Sequence, residues 1–490
     1  MINKRNKQLV LPAAKKRHLL LIPTLLLAAC SGLPSQQGSQ INSSTLNPLI
    51  ANQYNPESAP LSSAQTLAVL SEQLWIKDGL GNTDNAALNR VIQTALAKHP
   101  TIIENEAIVK QAQQQVIITS SDNLLSVSLA GSVSKSTSSA SSSPSNSANL
   151  ALNGSIPLDV WGNLSASSKA AHYQLSAAQA QLALAKRTLV ADISKAWYRL
   201  VYNQLFLTLK QKQRANSATQ LATIESSYHQ GLSAALDVYL ARQNIETAKV
   251  ALIAAKRNTQ SASRTLETLL SLYPSGQLTL DSPLPTLSDE LQYPLGIPAD
   301  LLANRADLNS SWLAVLAQDA TVASRYAARF PQFSLSGDIS LSSTGLANLF
   351  SENLAWSLLT SVGQSLIDNG KNKALYEQAK ARLIEQEQQY LQVLRAAFNE
   401  VETLLSDEHA IRQQWSLTKL ALKNSQLAFD HVSLQYQNGL STYQQVLDIQ
   451  DRLFSQQQAE LELQLSLVDN RINLILALGT SEITPQVNGQ

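Results

Sequence analysis

The chain contains one long unit twice, and that duplication limits its fold more than any other feature. The stretch Tyr436–Gln450, YQNGLSTYQQVLDIQ, is echoed by Tyr228–Arg242, YHQGLSAALDVYLAR, at an offset of 208 residues set by Gly439 and Gly231. The same offset lays Gly370 of LIDNGK on Gly162 of LDVWGN. Nearer the start the offset is 206, which puts Arg305 on His99 and Gly337 of FSLSGDIS on Gly131 of VSLAGSVS. Four landmarks that drift by only two residues describe a repeated supersecondary unit. The expected division is a signal peptide at 1–29, a lipidated tether at 30–84, a first repeat at 85–290, a second at 291–480 and a tail at 481–490.

Two periodicities alternate inside each repeat. Val127, Leu129, Gly131 and Val133 alternate with small polar residues, and so do Leu150, Leu152, Gly154, Ile156 and Leu158. Between them the polar run KSTSSASSSPSNSA reads as a loop. In the second half Phe333, Leu335, Gly337, Ile339 and Leu341 repeat the pattern, and a less regular strand with Trp356 and Leu358 follows a loop near Thr344–Asn353. Strands of about ten residues with one apolar and one small polar face are the signature of a transmembrane β-barrel, although a half-buried soluble sheet alternates in the same way. If the strands lie in lipid, four cannot close a barrel, because about eight is the lower bound and open edges are not tolerated there. Several chains must then share one barrel.

After each strand pair the period becomes helical, over about 165–229 and 372–437, with no proline in either stretch. Each would reach roughly 95–100 Å, while the returning helices, about 234–272 and 442–478, span roughly 55–60 Å. Helices of about 30 Å at 100–120 and 308–330 nearly make up the difference, so two helices stacked end to end could lie beside each long one. The packing is written in sevens. Leu440, Leu447, Phe454, Leu461, Val468 and Ile475 recur strictly, flanked by Val446, Leu453, Leu467 and Leu474, and Leu383, Tyr390, Ala397, Leu404 and Ile411 do the same on the long helix. That period implies knobs-into-holes packing with supercoiling.

At the other end, six basic residues and no acids precede an apolar run at 19–29 that is too short to span a bilayer and suits a signal h-region. Leu27-Ala28-Ala29-Cys30 resembles a bacterial lipobox, and Cys30 is the only cysteine, so no intrachain disulfide forms. Cys30 is therefore the expected lipidation site, followed by a Ser/Gln/Asn/Pro-rich tether over 31–65 and a short helix near 67–77. Removing the six basic residues takes the net charge from +1 to −5. An acidic chain without a basic run argues against nucleic acid as a partner.

These features together resemble the TolC family of outer-membrane channels, and its lipidated OprM-like members above all. The motifs that carry the resemblance are Tyr-x-x-Gly-Leu-Ser at both turns, Val446-Leu447-Asp448, Leu158-Asp159-Val160-Trp161-Gly162, Leu366-Ile367-Asp368-Asn369-Gly370 and Arg305-Ala306-Asp307-Leu308. The resemblance implies an α+β membrane protein: a shared trimeric 12-stranded β-barrel in the outer membrane of a Gram-negative bacterium, continued by a periplasmic α-helical barrel. It implies a homotrimer whose closed end meets a periplasmic adaptor (membrane fusion) protein bound to an inner-membrane transporter. Gly231, Leu232, Ser233, Gly439, Leu440 and Ser441 would meet the adaptor, and Asp448, Asp237 and Tyr436 would form the periplasmic gate, with Asp237 bonding Tyr436. Two departures thin that latch, since Gln445 stands where TolC has another Asp and Ser441 where TolC has an arginine. The proline expected before the strand is present as Pro331 but replaced by Leu125 in the first half.

No enzyme chemistry is visible. The six histidines lack metal-ligand spacing, and Gly370-Lys371 is no P-loop, having no Gly five residues before it and Asn372 after it. No cofactor is expected apart from the covalent lipid on Cys30. The expected function is a passive exit duct of a tripartite efflux pump. The alternatives are the channel of a type I polypeptide secretion system and a structural coiled-coil envelope lipoprotein, which would have no need of a lipid-facing sheet.

Overall fold

The computed structural model describes residues 86–138, 141–285, 287, 305–344, 346–351 and 354–479. The signal peptide, Cys30, the tether, the short helix near 67–77, the boundary between repeats and the C-terminal tail all lie outside the described residues.

The chain opens with α1 (Ala86–Lys98) and α2 (Pro100–Ser121). His99 caps α2, accepting the Thr101 N–H on Nδ1 at 3.3 Å, and Pro100 occupies the first helical position, where its missing N–H costs nothing. Two strands follow, β1 (Ser126–Ser138) and β2 (Ser141–Leu158), then the long helix α3 (Asn163–His229) and the returning α4 (Ala235–Leu269). The second pass runs through α5 (Ala306–Ala327), β3 (Gln332–Ser343), a 3₁₀ turn at Leu346–Ser351, β4 (Ala355–Gly363), α6 (Lys371–Gln437) and α7 (Tyr443–Leu478). Arg305 and His99, aligned by the repeat, are both extended N-caps.

α3 and α6 each contain 67 residues, roughly 100 Å of helix. Along α3 two shorter helices succeed one another. Ser120 of α2 meets Ser168 near its start at 3.0 Å, Thr259 of α4 bonds the Asn203 carbonyl at 3.1 Å, and Arg242 pairs with Glu225 near its end at 2.9 Å. α5 packs on both α3 and α6. No helix among the described residues is long and apolar enough to cross a membrane.

The strands form one antiparallel sheet in the order β1-β2-β3-β4. Its register sets Leu129 against Leu152, Leu152 against Ile339 and Ile339 against Trp356, so the alternating apolar positions of all four strands share one face, while Leu359 of β4, opposite Ser336, lies on the other. Ser128, Asn153, Asp338 and Ser357 form the corresponding rung on the other face. One expectation is corrected here. Of the polar run 135–148, residues 135–138 and 141–148 are strand and not loop, β1 continuing to Ser138 and β2 beginning at Ser141. Serines hold the extension together across the strands, with Ser134 to Ser147 at 2.8 Å and Ser136 to Ser145 at 2.9 Å. Cross-strand hydroxyl pairs of this kind stabilise pairing without any apolar alternation, the only signal that periodicity reads.

The helical seams are buried along the strict heptad at Leu383, Tyr390 and Ala397 of α6 and at Val468 and Ile475 of α7, and along the rows flanking it. Val446, Leu453, Leu467 and Leu474 of α7 are buried, as are Val238, Ile245 and Leu266 of α4, while Leu447, Phe454 and Leu461 are only half-buried and Leu440 is exposed. On α6 the row Leu394, Val401 ends in a charge: Glu408 is 1% exposed and meets Arg471 of α7, itself 2% exposed, at 3.0 Å and Arg412 at 2.8 Å. Asn470 completes this centre, donating to Glu408 Oε2 at 3.1 Å and to the Leu404 carbonyl at 3.0 Å. Arg305 closes the same hairpin from outside, pairing with Asp307 and Glu400 at 2.8 Å each and donating to the Ala477 carbonyl at 3.0 Å.

Candidate functional site

The helix reversals carry most of the expected site residues, and both are built alike. α3 ends in a Schellman turn, with the Gly231 N–H donating to the Tyr228 carbonyl at 3.0 Å and the Leu232 N–H to the Ser227 carbonyl at 2.8 Å. α6 repeats it, Gly439 to Tyr436 at 3.0 Å and Leu440 to Gln435 at 2.9 Å. The two glycines have φ of 75° and 73°, and a Cβ on either would meet nothing within 4 Å. Conformation, not crowding, requires glycine there. The residue after the glycine in such a turn ordinarily packs on the helix's last turn. Its counterparts here, Ser227 and Gln435, are polar, and Leu232 and Leu440 are left 76% and 78% exposed.

The returning helices start differently. Thr442 and Gln445 form a capping box on α7, with Thr442 Oγ1 accepting the Gln445 N–H at 3.3 Å and Gln445 Oε1 accepting the Thr442 N–H at 3.0 Å. Ser441 donates to the same Oε1 at 2.7 Å. The two residues that depart from the TolC pattern therefore bond to each other and start the helix. α4 has only Ala234 as its cap, with no side-chain bond.

Behind the tips a small apolar cluster of Ile224, Val238, Ala241, Tyr443 and Val446 joins the two hairpins, with Tyr436 packed against it. The rings of Tyr436 and Tyr443 lie 5.6 Å apart, and the Tyr436 hydroxyl sits 3.5 Å from Ser233 Oγ. Asn244 donates to Gln450 Oε1 at 3.2 Å, a second tie between hairpins. Burial pushes the Tyr443 phenol up to about 12, with Tyr436 and Asp237 adding to the rise and the nearby Asn244 amide opposing it. Asp237 thus belongs to this cluster electrostatically, but no hydrogen bond joins it to Tyr436 among the described residues; the tyrosine reaches Ser233 instead.

Asp448 lies further along α7, exposed, and accepts from Gln444 Nε2 at 2.9 Å. One turn on, the Asp451 carboxyl is pushed above its ordinary range by burial and by the charge of Asp448. Asp451 was not singled out in the sequence, although its spacing of three from Asp448 on a helix was a usable signal.

A second pair of duplicated sites governs the passage from strand to long helix. Gly162 and Gly370 cap α3 and α6 with φ of 74° and 83°. Asp159 accepts the N–H groups of Leu164 at 3.1 Å and Ser165 at 2.8 Å, and Asp368 those of Gly370 at 2.9 Å and Asn372 at 3.0 Å. Burial opposes the Asp159 charge, but the Ser165 hydroxyl and the N–H groups prevail and lower its pKa. Carboxylates placed here satisfy helix-start donors and complement the positive end of the macrodipole. Trp161 donates to the Pro331 carbonyl at 2.7 Å, tying the first passage to the start of β3.

Comparison with known proteins bears on this architecture. The family model described as "Outer membrane efflux protein" matches residues 91–271 and 297–480. The solvent efflux pump outer membrane protein SrpC of Pseudomonas putida is 30% identical over 324 residues, covering 66% of this chain and 68% of that protein. The pyoverdine export outer membrane protein OpmQ of Pseudomonas putida is 26% identical over 479 residues, 94% of this chain and 97% of its own. Among solved structures, the outer membrane protein VceC of Vibrio cholerae superposes with a TM-score of 0.77 at 24% identity, covering 83% of this chain and 98% of VceC.

Proposed function

The chain belongs to the outer membrane efflux protein family, and from that premise we propose that three copies form one exit duct across the outer membrane and the periplasm. The observation that carries the reading is the sheet's register: one continuous apolar face, with β1 and β4 each paired on one side only. Lipid tolerates no open edge, so β4 of one copy must find β1 of the next, giving a barrel of twelve strands from three chains. The helices agree with this. The row Leu447, Phe454, Leu461 is half-buried within one chain, and Ile103, Ile117, Val250 and Ile253 are exposed, as helices awaiting neighbours would be.

The exposed Leu232 and Leu440, held on glycine turns with Ser233 and Ser441 beside them, are the surface for a helical hairpin of a periplasmic adaptor, which links the duct to an inner-membrane transporter. Small residues let another helix tip approach, and the leucines supply the apolar contact. Tyr436, Ser233 and Asp237 hold the closed end, and Asp448, further along α7, adds charge to it. Lipid on Cys30 adds an anchor. The cargo is small molecules, and the energy comes from the transporter. The test is the mass of the detergent-solubilised protein together with its conductance in planar bilayers. Three chains and discrete channel openings are expected; a monodisperse monomer that passes no current would refute the assembly.

A further inference from the structure

The polar face of the sheet is nearly devoid of charge. Among the described side chains of the four strands only two can ionise, Lys135 and Asp338. Lys135 pairs with Asn146 on the face that carries Val133, Leu129 and Trp356, close to the hairpin end. Asp338 stands alone on the other face, the seventh of the twelve residues of β3, between Asn153 on β2 and Ser357 on β4. Its carboxylate accepts a hydrogen bond from the Ser357 hydroxyl, so its position is braced from the neighbouring strand. The rest of that face is serine, asparagine and other uncharged residues.

We infer that Asp338 is the charge-selecting residue of the membrane-spanning part of the duct, giving it a preference for cationic over anionic solutes. The inference rests on the trimeric duct reading, because only there does the polar face line a common lumen and Asp338 recur as three carboxylates at one height. The size of such a lumen makes the effect measurable. Twelve strands spaced about 4.8 Å apart and tilted by about 40° give a backbone radius of about 12 Å. The carboxylates, reaching inward, lie within about 10 Å of the axis, which is one Debye length at about 0.1 M salt and several at about 1 M. Three uncompensated charges on a low-dielectric wall then bias the ions throughout the cross-section at low salt and lose that hold at high salt. Nothing on the face offsets them, since the hydroxyl of Ser357 and the amide of Asn153 are neutral.

The test is the cation-to-anion permeability ratio of the purified channel in planar bilayers under a KCl gradient. It is measured in an Asp448→Asn background, so that the acidic pair at the helical tips contributes less. At about 0.1 M salt, Asp338→Asn should lower the ratio roughly two- to three-fold, Asp338→Glu should keep it, and Asp338→Lys should carry it below one. At about 1 M all four channels should converge. Asparagine can still bond Ser357, so trimer yield should be unchanged. A conducting Asp338→Asn channel with its parent's ratio at low salt would overturn this inference alone. A parent protein that forms no channel would instead overturn the duct reading on which it rests.

Discussion

The hydroxyl of Tyr436 lies 3.5 Å from the Oγ of Ser233, joining the last turn of one long helix to the tip of the other hairpin. At that distance it is a weak bond, and its role lies in registering the two tips over the cluster of Tyr443, Val238 and Val446. Tyr436→Phe removes the hydroxyl and keeps the ring on Tyr443. We expect it to raise single-channel conductance or open probability, with Ser233→Ala doing the same and the double variant adding little. The combination of Tyr436→Phe with Asp237→Ala should go further, since Asp237 acts on the cluster through its charge. Planar-bilayer recordings of the single and double variants decide it: wild-type conductance in all of them would place the gate elsewhere.

Asp448 and Asp451 should bind multivalent cations at the periplasmic mouth and so block the channel from that side. Because burial and the charge of Asp448 both raise the Asp451 pKa, Asp451 takes up its proton above the pH at which an ordinary aspartate does. Block should therefore weaken on acidification before an ordinary aspartate would titrate. In Asp448→Asn the like charge is gone, Asp451 returns toward its ordinary range, and the residual block should persist to lower pH. Titrating hexaamminecobalt block between about pH 4 and 7 checks both statements. Block that ignores both substitutions and pH would count against any carboxylate site here.

Much of this was legible because it is periodic or duplicated. The 67-residue helices, the strand faces and both glycine turns each leave a repeating trace in the sequence. The hairpin extension over 135–148 left none, because Ser134–Ser147 and Ser136–Ser145 are pairs across strands with no apolar alternation to announce them. Gln445 and Ser441 were misleading for a related reason. Compared position by position with a family they look like losses, whereas the cap they form with Thr442 exists only in the local three-dimensional geometry. Glu408 could have been found, since it continues the heptad row of Leu394 and Val401, but its partners Asn470 and Arg471 lie more than sixty residues away.

The surface at the tips predicts a docking phenotype. Leu232→Asp and Leu440→Asp put a charge where two exposed leucines stand on Schellman turns, without touching the bonds that form those turns. Each should weaken adaptor binding by roughly tenfold or more, as loss of an apolar anchor does, and leave trimer yield unchanged. Pull-down with the cognate adaptor measures it. Unchanged binding in the double variant would mean that Leu232 and Leu440 are helix-end residues and nothing more.

Cys30 should carry lipid in the mature protein, and Cys30→Ser should still yield a trimer, since the sheet's apolar face remains to hold the membrane. The substitution should loosen retention in the envelope without abolishing channel activity. Mass spectrometry of the mature N-terminus is decisive: an unmodified cysteine, or no cysteine at all, would end this part of the reading.

Glu408 offers the sharpest test of what holds a helical hairpin together. It is buried on α6 among Arg412, Asn470 and Arg471, with bonds of 2.8 to 3.1 Å. The first repeat, read at the 208-residue offset, has Leu200 and Ser263 where the second has Glu408 and Arg471, and Leu200 is fully buried. At the Glu408 position the seam can therefore be built around a leucine, although the Ser263 hydroxyl there donates to the buried Glu267 carboxylate at 3.3 Å. Removing one partner of a buried pair costs about 3–5 kcal/mol, whereas replacing the whole pair by apolar residues of similar volume is close to neutral. Glu408→Ala should accordingly give the largest drop in thermal midpoint. Glu408→Gln should fall between, because its amide oxygen can still accept from Asn470 or Arg471. Glu408→Leu combined with Arg471→Met should come near wild type. If Glu408→Ala melts with wild type, the cluster contributes nothing to the hairpin. If instead the apolar double variant is as damaged as Glu408→Ala, the charge sets the register of α6 on α7 in a way that packing alone does not.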